Sequence, residues 1–184
     1  NDATVRIESL TITGGSSNIG AGMRIIGDHS DVYLQAVKIS ENEGRGIFNQ
    51  SGSISIANCE ISANTSRGIW SLSELYMRDS RVNANFGGGI HFSGQGYILD
   101  SEVSGNSADH SAGIRVFGFG TPATLTVANS SISANTATDF GGGISNDRGN
   151  VVIRNSTIVG NSARDGAGFE NRGTLVADGS PILN

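Results

Sequence analysis

The sequence predicts an all-β solenoid, a coil of short parallel strands that turns about seven to eight times. Three observations favour this fold. A polar phrase recurs at intervals of 21 to 29 residues, and between its copies apolar residues alternate in short runs of period two. Glycine accounts for 27 of the 184 residues and proline for only 2, which suits a chain that turns often and regularly.

The repeat is marked by an asparagine that closes a phrase of the type I-S-x-N. Its spacings are 22, 21, 21, 29 and 26 residues, at Asn42, Asn64, Asn85, Asn106, Asn135 and Asn161. A second polar column lies six positions earlier, at Ala36, Asn58, Asp79, Asp100, Asn129 and Asn155. We expect the closing asparagines to form corners of the coils, to adopt the left-handed conformation there and to pass amide hydrogen bonds from coil to coil.

Three short strands are expected in each coil. Alternating pairs such as Val32 and Leu34 indicate the first strand, and Cys59 with Ile61 indicates the second. The third begins with a glycine and an apolar residue, at Gly22, Gly46, Gly68, Gly89, Gly113, Gly143 and Gly168. One coil cannot bury its own apolar face, so coils must stack, each adding about 4.8 Å along the axis. The predicted core is Val5, Ile7, Leu34, Ile39, Ile54, Ile61, Met77, Val82, Ile98, Val103, Leu125, Ile132, Ile153 and Ile158.

The connections vary in length at fixed points of the repeat. Six residues separate Asn106 from Gly113 and seven separate Asn135 from Gly143, whereas three separate Asn64 from Gly68. A second insertion spans residues 118–124. Insertions at fixed points predict loops gathered on one side of the solenoid.

Composition excludes several classes of partner. Charged residues are 16% of the chain, the net charge is -5 and no basic stripe stands out, so neither nucleic acid nor an anionic membrane surface is an expected partner. No apolar run of about 18 residues occurs, so we expect no membrane insertion. The single cysteine, Cys59, excludes an internal disulfide. No signal peptide is visible, and a chain beginning with Asn1 is expected to be processed or excerpted.

The repeats resemble a known family. "VVIRNSTIVGNSA" and "GAGFENRG", with Gly88-Gly89-Ile90 and Gly142-Gly143-Ile144, resemble the right-handed parallel β-helix proteins of the pectate-lyase-like superfamily. They are similar to bacterial surface proteins with polymorphic-outer-membrane-protein-like repeats, although the phenylalanine of the F-x-x-N phrase is usually missing. The resemblance extends from Thr4 to Asn184, and we expect residues 1–184 to form one domain that is a portion of a longer solenoid. It implies a secreted or cell-surface protein, and it places any carbohydrate site on the strand after the variable loops.

A candidate ligand site follows the glycine column. The next outward residues are Arg24, Phe48, Trp70, His91, Arg115, Ser145 and Glu170. We predict ligand binding by Phe48, Trp70, His91 and Arg115, since aromatic faces stack on sugar rings and Arg115 with His91 can address a uronate carboxylate. The partner would be a polysaccharide or cell-surface glycan. The alternative is that these aromatics only pack on their ladder neighbours.

Catalysis has fewer supporting residues. Asp109 and His110 on a loop, with His91 and Arg115, are the candidates for a polysaccharide lyase or glycoside hydrolase. No column places two outward carboxylates on adjacent coils beside them, so the sequence favours a non-enzymatic protein. No cofactor is expected. Calcium is the one metal considered, at residues 28–31, which read equally as a polar turn, so no metal site is predicted.

Two further outward columns are chemically distinct. One alternates in charge and predicts an exposed ion-pair ladder: Thr11, Lys38, Glu60, Arg81, Glu102, Ser131 and Thr157. The other is too varied to match an ice lattice: Arg6, Tyr33, Ser55, Tyr76, Tyr97, Thr126 and Val152.

Three functions remain after these exclusions. The first is a non-enzymatic, adhesin-like structural segment outside the cell or on its surface. The second is a carbohydrate-binding or polysaccharide-cleaving module. The third is a fibre subunit that associates axially with further copies through open β-helix ends, because unpaired strand edges pair readily.

Replacing Ile61 by aspartate tests the predicted stacking. The variant buries a charge with no partner, so we expect it to lose the cooperative fold at ambient temperature. Thermal melting followed by circular dichroism checks this. A variant that keeps the full melting temperature would show that Ile61 does not face the core.

Overall fold

The computed structural model describes residues 3–118 and 120–183. Residues 1, 2, 119 and 184 lie outside the described residues. All four belong to the predicted domain 1–184, and residue 119 also belongs to the predicted 118–124 insertion. The described chain is a solenoid in which every paired strand runs parallel to its neighbours, and three long sheets extend along its axis. Strands are numbered along the chain.

Each coil contributes one strand to each long sheet. In the described residues the first sheet contains β1 (Ala3–Glu8), β5 (Ser30–Gln35), β9 (Ser53–Ala57), β12 (Glu74–Arg78), β15 (Gln95–Leu99), β19 (Thr124–Ala128), β23 (Asn150–Arg154) and β26 (Thr174–Asp178). The second contains β2 (Thr11–Thr13), β6 (Lys38–Ser40), β10 (Glu60–Ser62), β13 (Arg81–Asn83), β16 (Glu102–Ser104), β20 (Ser131–Ser133), β24 (Thr157–Val159) and β27 (Ile182–Leu183). The third contains β4 (Met23–Ile25), β8 (Ile47–Asn49), β11 (Ile69–Ser71), β14 (Ile90–Phe92), β18 (Ile114–Phe117), β22 (Ile144–Asp147) and β25 (Phe169–Asn171). The prediction of about seven coils with three strands each is therefore confirmed.

Four further strands of two residues each lie in the connections between the second and third sheets. They form two short parallel pairs, β3 (Ser16–Ser17) with β7 (Glu43–Gly44) and β17 (Ser107–Ala108) with β21 (Thr136–Ala137). The sequence did not predict them. The insertions after Asn106 and Asn135 form the second pair, so those two loops are stacked on one another. No helix in the described part of the chain is long and apolar enough to cross a membrane.

The core is a stack of aliphatic side chains in register. Ile61 pairs with Ile39 on one side and Val82 on the other, and all three are fully buried. The predicted core is confirmed for its members from Leu34 to Ile158. Val5 was predicted wrongly: it is 44% exposed, because β1 is an edge strand of its sheet, and Ile7 on the same strand is only half-buried.

The closing asparagines form a continuous buried ladder. From Asn42 to Asn161, the Nδ2 of each donates to the Oδ1 of the next over 2.9–3.0 Å, and its backbone N–H donates to the same oxygen over 3.0–3.2 Å. The Nδ2 also reaches a carbonyl of the preceding coil; that of Asn85, for instance, donates to the oxygen of Ile61 over 3.1 Å. The prediction of amide hydrogen bonds from coil to coil is confirmed. Because these amides are buried, the loss of any one of these hydrogen bonds would lower the free energy of unfolding.

The backbone at these corners corrects one prediction. The left-handed residue is the one before each ladder asparagine, for example Ala63 with φ 52° and Ala84 with φ 54°. The column six residues earlier is also left-handed, as at Asn58 and Asp79, with φ 52° and 49°. The ladder asparagine has negative φ because its amide must point inward, whereas the exposed corner residues need only tolerate the turn.

The glycine column is explained by the ladder beside it. A Cβ built on Gly68 would lie 2.7 Å from Asn85 Nδ2 and 2.8 Å from a methyl of Val82. Gly46 meets Asn64 Nδ2 in the same way at 2.8 Å. Real Cβ atoms do not approach so closely, so glycine and asparagine recur together because they are in contact.

The alternating column on the second sheet pairs as predicted. Lys38 lies 3.4 Å from Glu60, and Arg81 lies 2.8 Å from Glu102. A hydrogen bond from Ser62, followed by the charge of Lys38, lowers the pKa of Glu60. These pairs are exposed, so each contributes about 0–1 kcal/mol.

Asn85→Ala tests the ladder. The change leaves the N–H and amide of Asn64 without their acceptor inside the solenoid, so we expect the free energy of unfolding to fall by about 2–4 kcal/mol. Urea denaturation measures this. Asn58→Gly is the control, since Asn58 is exposed and glycine accepts its left-handed φ; a change beyond about 0.5 kcal/mol is not expected there. Equal losses in both variants would contradict the structural role of the ladder.

Candidate functional site

The outward side of the third sheet carries the predicted column in register. Phe48 pairs with Trp70, Trp70 with His91, and His91 with Arg115. Arg24 precedes them, and its guanidinium donates to Gln50 over 3.2 Å. Ser145 and Glu170 follow, joined by a hydrogen bond of 3.0 Å. The predicted ligand residues therefore stand side by side on consecutive coils.

The aromatic members of this column pack on one another. Ring centroids are 5.3 Å apart between Phe48 and Trp70, 6.2 Å between Trp70 and His91, and 5.5 Å between His91 and Phe117. Phe48 and His91 are each only 7% exposed. The sequence predicted an outward aromatic stripe, and the structure shows that much of it is covered.

Two arginines that the sequence analysis did not single out provide part of this cover. The guanidinium of Arg45 lies 4.1 Å from the Trp70 ring centroid and 5.2 Å from that of Phe48, and the guanidinium of Arg67 lies 4.9 Å from that of Trp70. Both residues occupy the same position, directly before the repeated glycine. The doubled phrase R-G-I, starting at residues 45 and 67, was the signal that could have revealed them.

Arg45, Arg67 and Arg115 form a cationic cluster, which we call the arginine face. None of the three forms an ion pair with a carboxylate among the described residues, and the Nε of each is buried without a hydrogen-bond partner. Burial lowers the pKa of Arg45. Burial, and then repulsion from Arg45 and Arg115, lowers the pKa of Arg67. The arginine face is therefore a site of uncompensated positive charge.

His91 lies at the centre of the arginine face. Both its ring nitrogens are buried and have no hydrogen-bond partner. Burial, followed by the charges of Arg67, Arg115 and Arg45, holds the pKa of His91 well below 6.5. The imidazole is therefore neutral at physiological pH. An uncharged ring in this position adds no further repulsion to the three guanidinium groups.

Two cavities flank the arginine face, and Arg67, His91 and Arg115 line both. The larger, of about 470 Å³, extends towards the variable loops and also contacts Phe86 and His110. The smaller, of about 290 Å³, extends the other way and is also lined by Trp70, Phe117 and Arg148. The fold thus brings His91, Arg115, Asp109 and His110 to one cavity, and leaves Phe48 outside it beneath Arg45.

Of the two loop candidates, His110 is engaged with neighbours, whereas the carboxylate of Asp109 lines the larger cavity and forms no ion pair among the described residues. His110 Nδ1 lies 3.3 Å from Asp139, whose other oxygen lies 2.8 Å from Arg164. The His110 ring stacks on Phe140 with centroids 4.6 Å apart. Asp147, on the rim of the smaller cavity, lies 3.4 Å from Arg148. The carboxylates of Asp139 and Asp147 are thus paired, while the arginines of the arginine face are not.

A longer groove runs along the corner between the first and second sheets. Its volume is about 1130 Å³, and its floor includes Cys59, Ser80 and Ser101. Their side chains accept hydrogen bonds from the backbone of the preceding coil, as from Cys59 N–H to Ser80 Oγ at 3.0 Å. Burial raises the pKa of Cys59. Because its floor groups are satisfied and much of its rim charge is paired, this groove offers a ligand less than the arginine face does.

The turn considered for calcium lies at the start of the first sheet. Asp31 belongs to β5 and accepts a hydrogen bond from Ser53. The described residues contain no group of three or more histidine, cysteine or carboxylate side chains that could hold a metal ion.

Comparison with known proteins identifies the family of the chain. A family model described as a right-handed beta helix region matches residues 1–132 of the chain. No curated protein and no solved structure matches it. The matched residues include Arg45, Arg67, His91 and Arg115, so the arginine face lies wholly within the matched coils.

Lowering the pH from about 7.5 to about 5 is expected to destabilise the protein through His91. Since the pKa of His91 in the folded chain is well below 6.5, only the unfolded chain takes up this proton as the pH falls through 6.5. The linkage removes up to about 1.4 kcal/mol of unfolding free energy for each pH unit below that value. Urea denaturation across this pH range measures the loss.

His91→Phe is the matched variant for this test. Phenylalanine keeps a ring between Trp70 and Phe117 but cannot titrate. We expect it to be at least as stable as the parent at neutral pH and to lose part of the acid sensitivity. An unchanged pH dependence in this variant would show that His91 is not the group responsible.

Proposed function

The chain belongs to the right-handed β-helix family, and on that premise we propose that it is a non-enzymatic, extracellular or cell-surface β-helix that binds an anionic polysaccharide. The arginine face is the binding surface, and the solenoid is the rigid support that displays it. This joins the adhesin-like and carbohydrate-binding hypotheses into one function. The ligand class is a polymer bearing carboxylate or sulfate groups on its sugar rings.

The uncompensated charge of the arginine face carries this proposal. Three guanidinium groups in partly buried positions lower the stability of the free protein, because neither solvent nor a carboxylate compensates them fully. All three side chains are half-buried, and their Nε atoms are buried, so an anion would contact the exposed part of the guanidinium groups and offset the repulsion among them. Guanidinium groups bind carboxylate and sulfate oxygens with paired, charge-assisted hydrogen bonds.

The shape of the site supports a polymer over a single small ion. The two cavities lie on opposite sides of the same ridge of Arg67, His91 and Arg115. Each also has aromatic walls, with Phe86 and His110 on one side and Trp70 and Phe117 on the other. Two adjacent sugar rings could therefore each contact an aromatic wall while their anionic groups meet the guanidinium groups between them.

The same geometry opposes cleavage of the bound chain. A general base must reach a substrate proton, and both nitrogens of His91 are buried. Asp139 and Asp147 are held in ion pairs with Arg164 and Arg148. The larger cavity therefore offers one carboxylate, that of Asp109, where glycoside hydrolysis needs a pair. Binding without turnover is the function that these groups support.

Binding of polygalacturonate is the direct test. Trp70 is the only tryptophan in the sequence and contacts Arg45 and Arg67, so its fluorescence reports on the site. We expect saturable quenching that weakens as salt increases, and at least a tenfold loss of affinity in Arg67→Gln, since a charge-assisted hydrogen bond contributes about 1.5–3 kcal/mol. Ultraviolet absorbance should show no accumulation of unsaturated uronate ends, the products of a lyase.

Arg154→Gln is the charge-matched control, because Arg154 is exposed on the first sheet, away from the arginine face. It should bind like the parent. If Arg67→Gln and Arg154→Gln weakened binding equally, the loss of affinity would follow from the net charge alone, and the proposal would be overturned. Tighter binding of single-stranded DNA than of any anionic polysaccharide would also overturn the proposal. Tighter binding of dextran sulfate than of polygalacturonate would support it and identify the ligand as a sulfated glycan.

A further inference from the structure

The two cavities beside the arginine face differ in the charge that they offer a ligand. Both are lined by Arg67, His91 and Arg115. The smaller cavity is also lined by Asp147 and Arg148, which form an ion pair with each other. The charge that remains available to a ligand in the smaller cavity is therefore that of the two shared arginines.

The larger cavity carries in addition a carboxylate without an ionic partner. Asp109 is exposed, lines this cavity and forms no ion pair among the described residues. His110, which lines the same cavity, is engaged with Asp139 instead. A ligand in the larger cavity thus meets a negative charge as well as the positive charges of Arg67 and Arg115.

The stacked loops hold Asp109 beside this cavity. Asp109 directly follows β17, which pairs with β21 of the next coil. Its carbonyl oxygen accepts hydrogen bonds from the backbone N–H of Asp139 over 2.9 Å and from the hydroxyl of Thr138 over 3.1 Å. The backbone that carries the Asp109 carboxylate is therefore fixed by the neighbouring coil.

The two cavities lie towards opposite ends of the strands of the third sheet. Asp109 belongs to the connection that precedes β18, whereas Phe117 and Asp147 are the last residues of β18 and β22. A linear polymer that crosses the ridge between the cavities therefore runs along the strand direction. It places neighbouring sugar units in surroundings of different charge.

Resting on the function proposed above, we propose that the ligand is a copolymer in which an anionic sugar alternates with a neutral one. The anionic sugar occupies the smaller cavity, where its carboxylate or sulfate meets the guanidinium groups of Arg67 and Arg115. The neutral sugar occupies the larger cavity, where Asp109 repels a second anion and accepts hydrogen bonds from sugar hydroxyl groups. A cationic sugar is disfavoured there because the same two arginines repel it.

The size and lining of the larger cavity agree with a neutral sugar. Its volume is about 470 Å³ against about 290 Å³ for the smaller cavity, so it has room for a bulkier unit such as an N-acetylated sugar. Ser107, Thr136 and Thr138 line it with hydroxyl groups, which suit an uncharged polar ligand.

Hyaluronan and polygalacturonate distinguish an alternating ligand from a uniformly charged one. Hyaluronan alternates glucuronate with N-acetylglucosamine, whereas polygalacturonate carries a carboxylate on every sugar. Binding of oligosaccharides of equal length is measured by the fluorescence of Trp70. We expect the parent to bind the hyaluronan fragment about fivefold more tightly or better, because Asp109 opposes the additional carboxylates. A site that responds to ligand charge alone would show the opposite order.

Asp109→Asn tests the residue to which this preference is assigned. The change keeps the size of the side chain and removes its charge, so the affinity for polygalacturonate should rise and the preference for hyaluronan should fall about threefold or more. Asp178→Asn is the charge-matched control, because Asp178 is exposed on β26 and lines neither cavity. The control should keep the preference of the parent.

The outcomes separate this inference from the function on which it rests. If the parent bound polygalacturonate as tightly as hyaluronan, or if Asp109→Asn kept the full preference, the alternating ligand would be overturned and binding of an anionic polysaccharide would stand. If neither polymer bound, both proposals would be overturned. A preference for hyaluronan that falls in Asp109→Asn and not in Asp178→Asn supports the inference.

Discussion

The buried asparagine ladder is the interaction on which the rest of this structure depends. Each side-chain amide satisfies the backbone N–H and the amide of the preceding coil, so no member can shift without leaving buried polar groups unpaired. The glycine of the third strand must lie against this ladder, since a side chain there would collide with the amide. Ladder and glycine together fix the register of every coil on the next.

A fixed register turns spacing in the sequence into chemistry on a surface. Residues some 21 to 29 positions apart become neighbours. Whether the charges on one face of the solenoid compensate one another therefore depends on which residues share a column. On the second sheet, opposite charges alternate, and Lys38 with Glu60 forms an ordinary exposed pair. In the turns that lead into the third sheet, Arg45 and Arg67 follow one another at the same position with no carboxylate between them, and their charge remains uncompensated. The same stacking rule thus stabilises one face and leaves another with the uncompensated charge on which our proposal of ligand binding rests.

Much of the fold was predictable because the repeat is local in sequence. The strand pattern, the asparagine ladder, the buried aliphatic residues and the register of the outward columns all followed from periodicity. The site was predictable only in part. His91 and Arg115 were found because they belong to a strand column. Arg45 and Arg67 precede the glycine in turns, outside the strand alternation, and only the doubled phrase R-G-I pointed to them. The burial of Phe48 was missed because the side chain that covers it, Arg45, comes from a turn, and the alternation of residues along a strand does not predict such a contact.

The sequence by itself determined the coil: the period, the three strands, the core and the vertical partners of each residue, since these follow from which side chains must superpose. The tertiary structure alone decided which corner residue bears the left-handed backbone, which aromatic rings are covered, and which charges have no partner. Those properties depend on how turns and long side chains from neighbouring coils fill the space outside the ladder, and that packing is not periodic.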